Sequence, residues 1–126
     1  MSRIILDAGA FIGIDRGDRA VGALLRVIWE EGLPVLSSAP VVAQVWRGGS
    51  AQARLARVLA GVDVRALDSE DAKRTGILLA RSKTADAVDG HLALLVGGGD
   101  RVLTSDPNDI ETLLAAREVA ATVIRV

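Results

Sequence analysis

The stretch RVLTSDP, residues 101–107, decides the fold that the sequence predicts. Its apolar pair Val102 and Leu103 favours a short buried strand, as is typical of aliphatic runs in a parallel sheet. Asp106 and Pro107 favour the start of a helix, because proline is well tolerated in the first helical turn. A strand that passes directly into a helix predicts an α/β fold.

The rest of the chain repeats this alternation of short apolar runs and amphipathic segments. Strands are predicted at residues 4–6, 34–37, 62–67, 101–104 and 119–126. Helices are predicted at residues 20–31, 51–59, 70–81 and 85–96, from Pro40 onwards, and from Asp106-Pro107 to about residue 117. Such alternation implies a mainly parallel sheet flanked by helices. No repeat, low-complexity segment or linker interrupts it, so residues 1–126 are expected to form one domain.

The composition limits the kinds of site that the chain can form. Of its 126 residues, 50% are hydrophobic, which suffices for a core without covalent staples. The chain has no cysteine and one histidine, His91, which excludes disulfides, thiolate zinc sites and histidine clusters. A metal ion would therefore be held by oxygen atoms, which favours Mg²⁺ or Mn²⁺.

Charge and hydropathy restrict the partners and the location. With a formal net charge of −1 and a pI of about 5.8, a nucleic-acid partner would require a local basic patch. No apolar run reaches the roughly 20 residues of a membrane span, and the run at the start is too short for a signal peptide. A cytoplasmic protein is expected.

Two aspartates follow predicted strands. Asp7 comes directly after the strand at residues 4–6, and Asp106 follows the strand at residues 101–104 after one residue. Ligands of parallel sheets bind at the carboxyl ends of the strands, so both side chains are expected at one edge. The alternative for each is to cap the helix that follows it, a common role of aspartate.

Three further acidic residues lie near predicted helix starts. Asp89 heads an apolar stripe with Leu92, Ala93 and Val96, so its carboxylate is expected to face inward, where it needs either an arginine or a metal ion. Asp86, one turn earlier, suits the helix dipole or an outer position around a metal. Asp109 is interpreted as an acid of the first turn of its helix.

Gln44 shares the predicted inward face of its helix with Val41 and Val45. Its amide either bonds to backbone within the core or faces the aspartates. Carboxylates that converge raise one another's pKa, and a divalent cation reverses this effect. Mg²⁺ takes one or two carboxylates directly and keeps several waters, one of which can attack a phosphodiester.

Four segments in order, IILDAGAFI, VVAQVWR, DAVDGHLA and VLTSDPNDI, resemble PIN domains, the fold of the VapC-type toxin ribonucleases. The resemblance implies a three-layer α/β/α fold and Mg²⁺- or Mn²⁺-dependent hydrolysis of single-stranded RNA. It also implies a type II toxin with an antitoxin partner, commonly a homodimer. Asp7 would be the first-strand metal ligand, Asp89 the helix acid with Asp86 as the alternative, and Asp106 the acid after the fourth strand, beside Thr104.

The sequence departs from the family pattern at Gln44, where PIN domains usually have glutamate. Glutamine keeps the shape but carries no charge, so weaker metal binding and reduced activity are expected. One alternative is therefore a catalytically weakened PIN domain that binds RNA or an antitoxin. A phosphotransfer domain is a third possibility, although Gly9 occupies the place of the second aspartate of haloacid-dehalogenase-like phosphatases, and no lysine is placed as in a receiver.

Five arginines could contact a substrate. The arginines in segments expected near the site are Arg16, Arg19, Arg47, Arg54 and Arg57. Arg54 and Arg57 share a helix face and either contact phosphate or form a solvated surface. Trp46 is interpreted as a core or interface residue, and His91 as a surface or interface residue with its hydrogen bonds satisfied.

Overall fold

The computed structural model describes residues 2–126. Within these residues five strands form one sheet in the order β3-β2-β1-β4-β5. The strands are β1 (Ile4–Leu6), β2 (Val35–Ser38), β3 (Asp63–Arg65), β4 (Arg101–Thr104) and β5 (Thr122–Arg125). Every neighbouring pair is parallel, which confirms the predicted α/β class.

The helices of the described residues are α1 (Ala8–Arg16), α2 (Arg19–Glu30), α3 (Ala39–Val45), α4 (Ala53–Leu59), α5 (Ser69–Ser82), α6 (Ala87–Leu95) and α7 (Pro107–Arg117). A short 3-10 turn at Ser50–Gln52 precedes α4. Helix α1 packs against α2, α3 and α4, whereas α5 packs against α6 and α7. Crossovers that proceed in opposite directions along a parallel sheet place their helices on opposite faces. The result is the three-layer α/β/α arrangement, consistent with a PIN-like fold.

The core lies on both sides of the central strand. Ile4, Ile5 and Leu6 are all buried, as expected for a strand covered by helices on both faces. The edge strand β3 is exposed along its whole length.

Several element boundaries differ from the prediction. Helix α1 was not predicted, and Gly9 and Gly13 within it lower its intrinsic propensity; burial of Phe11 and Ile14 compensates. Helix α6 starts at Ala87 rather than at residue 85, because the side chain of Asp86 caps it.

The order of the strands fixes the place of the site. Strands β1 and β4 are neighbours, with Ile4 opposite Arg101 and Leu6 opposite Leu103, although the chain visits β2 and β3 between them. The strand order therefore reverses at this pair, and a crevice opens at the carboxyl ends of β1 and β4.

None of the described helices has the length and apolar character required to cross a bilayer.

Candidate functional site

A threonine hydroxyl joins the two aspartates that follow β1 and β4. Asp7 is 4% exposed; its Oδ1 accepts from the backbone N–H of Ala8 at 2.7 Å, and its Oδ2 accepts from Thr104 Oγ1 at 2.7 Å. The same Thr104 oxygen accepts from the backbone N–H of Asp106 at 3.0 Å. Asp7 and the start of the Asp106 turn are thus fixed to one another, as the strand ends predicted.

Burial raises the pKa of Asp7 above its ordinary value. The hydrogen bonds from Thr104 and Ala8 act against this shift, while the negative charges of Asp106 and Asp86 add to it. Asp7 is therefore held in place by donors but remains short of positive charge.

Asp106 occupies the N-cap position of α7, but its side chain makes no capping hydrogen bond. The Asp106 carboxylate is exposed and does not cap α7, which was the structural alternative for this residue. Asp7 differs in that one of its oxygens does accept from the first amide of α1.

The sequence left open the roles of Asp86 and Asp89, and the structure shows that Asp86 serves the helix start. The Asp86 side chain accepts from the amides of Val88 at 2.9 Å and Asp89 at 3.1 Å, which confirms its role at the helix start. Asp89 is half-buried at the head of the stripe that continues through buried Leu92 and Ala93. Within residues 2–126 it has no ion-pair partner, so a structural arginine does not explain it.

The charge environment of Asp89 defines the site. Burial, and then the charge of Asp7, raise its pKa to about 7, and three further carboxylates contribute to the same shift. These are Asp86, Asp109 and Asp106. We call Asp7, Asp86, Asp89, Asp106 and Asp109 the acidic cluster.

Asp100 shows what a structural acid looks like in this fold. It is 2% exposed, and it accepts from Arg3 Nη2 at 2.7 Å and from the Gly97 amide at 2.7 Å. Burial acts to raise the pKa of Asp100, but the hydrogen bonds from Arg3 and Gly97 outweigh it, so the pKa lies below its ordinary value. Burial raises the pKa of Asp89 in the same way, but no hydrogen bond or positive charge from the described residues lowers it again.

Two adjoining cavities give access to the acidic cluster. One, of about 220 Å³, is lined by Thr84, Asp86, Asp89 and Asp109. The other, of about 190 Å³, is lined by Asp106, Asp109 and Arg125. Asp109 belongs to both, so the residue interpreted only as a helix acid also connects the two halves of the site.

The acidic cluster offers carboxylate oxygens to a cation but no closed metal shell. No three acidic or histidine side chains of residues 2–126 stand, as placed, in an arrangement that could hold one metal ion. Mg²⁺, however, needs only one or two direct carboxylates and retains its waters. The unpaired charge around Asp89 is the kind that a divalent cation neutralises.

Comparisons with known proteins place the fold. No protein-family model matches the chain, and no curated protein matches it. The chain is similar to a solved structure of VapBC2 from Rickettsia felis bound to a DNA fragment from their promoter. The TM-score is 0.66 at 10% identity, over 96% of this chain and 98% of that one. It is also similar to FitAB bound to an IR36 DNA fragment, with a TM-score of 0.58 at 19% identity over 95% and 94% of the two chains. At these identities the likeness concerns the fold.

Gln44 does not face the core, so the predicted inward orientation is wrong. Val41 and Val45 form the buried edge of α3, whereas Gln44 is exposed on its flank. Helix α3 has only seven residues and ends at Val45, so its buried stripe is narrow. A role of Gln44 beside the acidic cluster remains a prediction.

His91 is also placed differently from its interpretation as a surface or interface residue with satisfied hydrogen bonds. It is completely buried, and neither ring nitrogen has a hydrogen-bond partner in the described part of the chain. Burial lowers the pKa of His91, opposed by the nearby charge of Asp71 and the carbonyl group of Ala66. The buried face of α6 therefore includes His91 as well as Leu92 and Ala93.

The arginines and tryptophans lie mostly at the surface. Arg16, Arg19, Arg47, Arg54 and Arg57 are all exposed. The Arg47 guanidinium donates to the carbonyls of Ala43 and Trp46, which occupies it locally. Trp46 is 40% exposed, so it is not a core residue.

Proposed function

We propose that this protein is a Mg²⁺- or Mn²⁺-dependent endoribonuclease and the toxin half of a type II toxin–antitoxin pair. The observation that carries the proposal is Asp89, a half-buried carboxylate without an ion-pair partner whose pKa is raised to about 7 by burial and by Asp7. Such a group at the switch point of a parallel sheet is characteristic of a functional site. The similarity to the VapBC2 and FitAB toxin–antitoxin complexes supports the choice of activity.

Asp7, Asp89 and Asp106 are the residues we assign to hold the cation, with Asp86 as a secondary candidate. When bound, the cation would lower the pKa of a bound water and neutralise the charge that develops on the phosphate. Asp86 is partly occupied, because its carboxylate accepts the amides of Val88 and Asp89.

The chain's own groups prepare this site. The Thr104 hydroxyl fixes one oxygen of Asp7, and the Ala8 amide fixes the other, so the Asp7 carboxylate cannot rotate freely. Burial and the neighbouring carboxylates raise the pKa of Asp89 to about 7, so without a cation this carboxylate can accept a proton near neutral pH. Asp106 and Asp109 add negative charge on the other side of the opening.

We further propose a cytoplasmic protein that forms a homodimer and binds a small antitoxin over the acidic cluster. Exposed Val27 on α2, which is 48% exposed, is suited to a contact between two copies. An arginine of the antitoxin would be a natural partner for the unpaired charge of Asp89.

The alternative is a PIN-like domain that binds RNA or an antitoxin but cleaves weakly. The neutral and exposed side chain of Gln44 favours it, since α3 supplies no carboxylate. A phosphotransfer activity is disfavoured, because even a methyl group at Gly9 would stand 2.7 Å from the side chain of Ser105, which leaves no room for an aspartate.

Cleavage of a mixed pool of single-stranded RNA in Mn²⁺ separates the two proposals. We expect cleavage by the wild-type protein and by Glu30→Gln, an exposed control on α2, but not by Asp7→Asn. RNA binding without cleavage in either metal would leave only the binding function.

A further inference from the structure

Three cavities on one side of the molecule adjoin one another and lead to the acidic cluster. The first, about 380 Å³, lies between α2 and α4 and is lined by apolar residues, Trp29 among them, and by Arg26, Arg54 and Arg57. The second, about 520 Å³, shares Gly17 and Asp18 with the first and contains Arg16. The third contains Arg125 and shares Ser105 with the second and Asp109 with the cavity of Asp89. We call these three adjoining cavities the arginine groove.

The arginines of the arginine groove form no ion pair within the described residues, and Asp18, Asp106 and Asp109 line the same cavities. The ion pairs found there involve Arg3, Arg65 and Arg74, none of which lines the groove. Arg26, Arg54 and Arg57 therefore line one cavity without an ion-pair partner, next to the capping residue Asp18. On a chain with a net charge of −1, this is the local basic patch that a nucleic-acid partner requires.

The Arg54 guanidinium lies against Gly17, at the junction of the first two cavities. Gly17 ends α1 with a positive φ of 75°, and a Cβ atom there would collide with the Arg54 guanidinium. The guanidinium thus lies directly over the turn between α1 and α2, where a strand that passes from one cavity to the next must cross.

Trp29 supplies an aromatic surface in the same cavity as these arginines. It is 40% exposed, and its ring lies against Gly61, where a Cβ atom would come within 3.0 Å of it. Guanidinium groups beside an exposed aromatic ring are the combination that binds the phosphates and bases of single strands.

We propose that the arginine groove binds the segment of single-stranded RNA that flanks the scissile phosphate, with phosphates on Arg54 and Arg57 and a base on Trp29. The proposal rests on the ribonuclease function above, since that function places the scissile bond at the acidic end of the groove. We favour a phosphodiester chain over a protein segment as the occupant, because every nucleotide of the chain carries a negative charge. It can therefore meet Arg57, Arg54, Arg16 and Arg125 in succession.

The test is the binding of a 5′-fluorescein-labelled single-stranded RNA of about 12 nucleotides in EDTA, followed by anisotropy over a series of salt concentrations. Arg54→Gln/Arg57→Gln is compared with Arg74→Gln/Arg81→Gln, which removes the same charge beside a separate cavity. Loss of two phosphate contacts on a single strand lowers the salt slope by about 1.4 and the affinity by roughly 10- to 30-fold at 0.1 M salt. The control should bind like the wild type. If the double variant fails to fold, Arg26→Gln with Trp29→Phe provides a second test of the same cavity.

Equal binding by the groove variant, its control and the wild type would overturn the inference, as would the absence of RNA binding by the wild type. So would a groove variant that loses binding of an acidic peptide but not of RNA, since the groove would then serve a protein partner. Because cleavage is not required in EDTA, groove-dependent binding of RNA that is never cut in Mn²⁺ would retain the inference and reject the ribonuclease. Cleavage that proceeds equally in both double variants would retain the ribonuclease and reject the inference.

Discussion

Thr104 donates its hydroxyl hydrogen to Asp7 over 2.7 Å, across the pair of strands where the sheet reverses its order. Both side chains are buried, and the same hydroxyl oxygen accepts the amide of Asp106. This one group therefore sets the distance between the acid of β1 and the turn that carries the acid of β4.

Thr104→Val should remove this link with little change of shape. Because the hydrogen bond favours the ionised form of Asp7, its loss should raise the Asp7 pKa further and move the acid limb of the pH–rate profile to higher pH. We expect roughly 10-fold lower kcat/KM and a loss of about 1 kcal/mol in stability. Thr104→Ser should restore the pH profile, and Thr112→Val, on the exposed side of α7, is the matched control. An unchanged pH profile in Thr104→Val would contradict the role of the hydroxyl.

Asp89→Asn should stabilise the cation-free protein at alkaline pH. The folded-state pKa of Asp89 is raised to about 7, so the folded protein retains a proton that the unfolded chain has lost. Stability therefore falls as pH rises from about 4 to about 7, and the full cost is present above pH 7. After allowance for solvent screening of a half-buried group, we expect a gain on the order of 1 kcal/mol, or roughly 3–6 °C in Tm, at pH 8 in EDTA.

The difference between Asp89→Asn and the wild type should shrink as pH falls towards 4, and Mn²⁺ should stabilise the wild type alone. Asp63→Asn, in the exposed strand β3, serves as the control. A variant that is less stable than the wild type at pH 8 in EDTA would show that Asp89 has a structural partner.

Asp100→Asn should have the opposite effect. It breaks the hydrogen bonds to Arg3 and Gly97 that hold the Asp100 pKa below its ordinary value. We expect a loss of about 2 kcal/mol at pH 7, less than for a fully enclosed pair because the Arg3 side chain is 32% exposed. The loss should diminish as pH falls below the ordinary carboxyl range, and RNA cleavage by the folded fraction should stay unchanged. Thermal unfolding at several pH values, with an activity assay at 20 °C as the companion, tests both statements.

Gly9→Ala should displace the turn that carries Asp106. A Cβ atom at Gly9 would stand 2.7 Å from Ser105 Cβ and 2.9 Å from its backbone nitrogen, so backbone must move. Overpacking of this kind costs about 1–3 kcal/mol, and activity should fall more than stability explains. Gly22→Ala meets no atom within 4 Å and should instead stabilise α2 by about 0.5–1 kcal/mol. Similar effects of the two substitutions would contradict a close approach at Gly9.

Gln44→Glu should strengthen the binding of Mn²⁺ by adding a carboxylate from α3. Isothermal titration compares it with the wild type and with Ala43→Glu, which adds the same charge at the neighbouring exposed position. Equal affinities in all three proteins would mean that Gln44 lies outside the influence of the cation.

Much of the site followed from the sequence because strand ends and helical phase are local properties. Ile4-Ile5-Leu6 before Asp7, and Val102-Leu103-Thr104 before Asp106, sufficed to place two acids at one edge of a parallel sheet. The apolar stripe that Asp89 begins was also predicted correctly, since Leu92, Ala93 and Val96 are all buried.

Features that depend on packing between distant segments could not be predicted in this way. Gln44 was assigned inward from helical phase alone, but a seven-residue helix buries too narrow a stripe to include it. His91 was judged by its polarity, and the neighbouring α5 buries it. The contribution of Asp109 depends on how α7 approaches α6, which no local pattern encodes.

The most direct test of the acidic cluster is the single-turnover cleavage rate of single-stranded RNA in Mn²⁺ by the wild type, Asp89→Asn and Glu111→Gln, an exposed control on α7. We predict Mn²⁺-dependent cleavage that falls at least about 100-fold in Asp89→Asn and is unchanged in Glu111→Gln. Cleavage that persists in EDTA, or that is equal in Asp89→Asn and the wild type, would contradict a cation site built around Asp89.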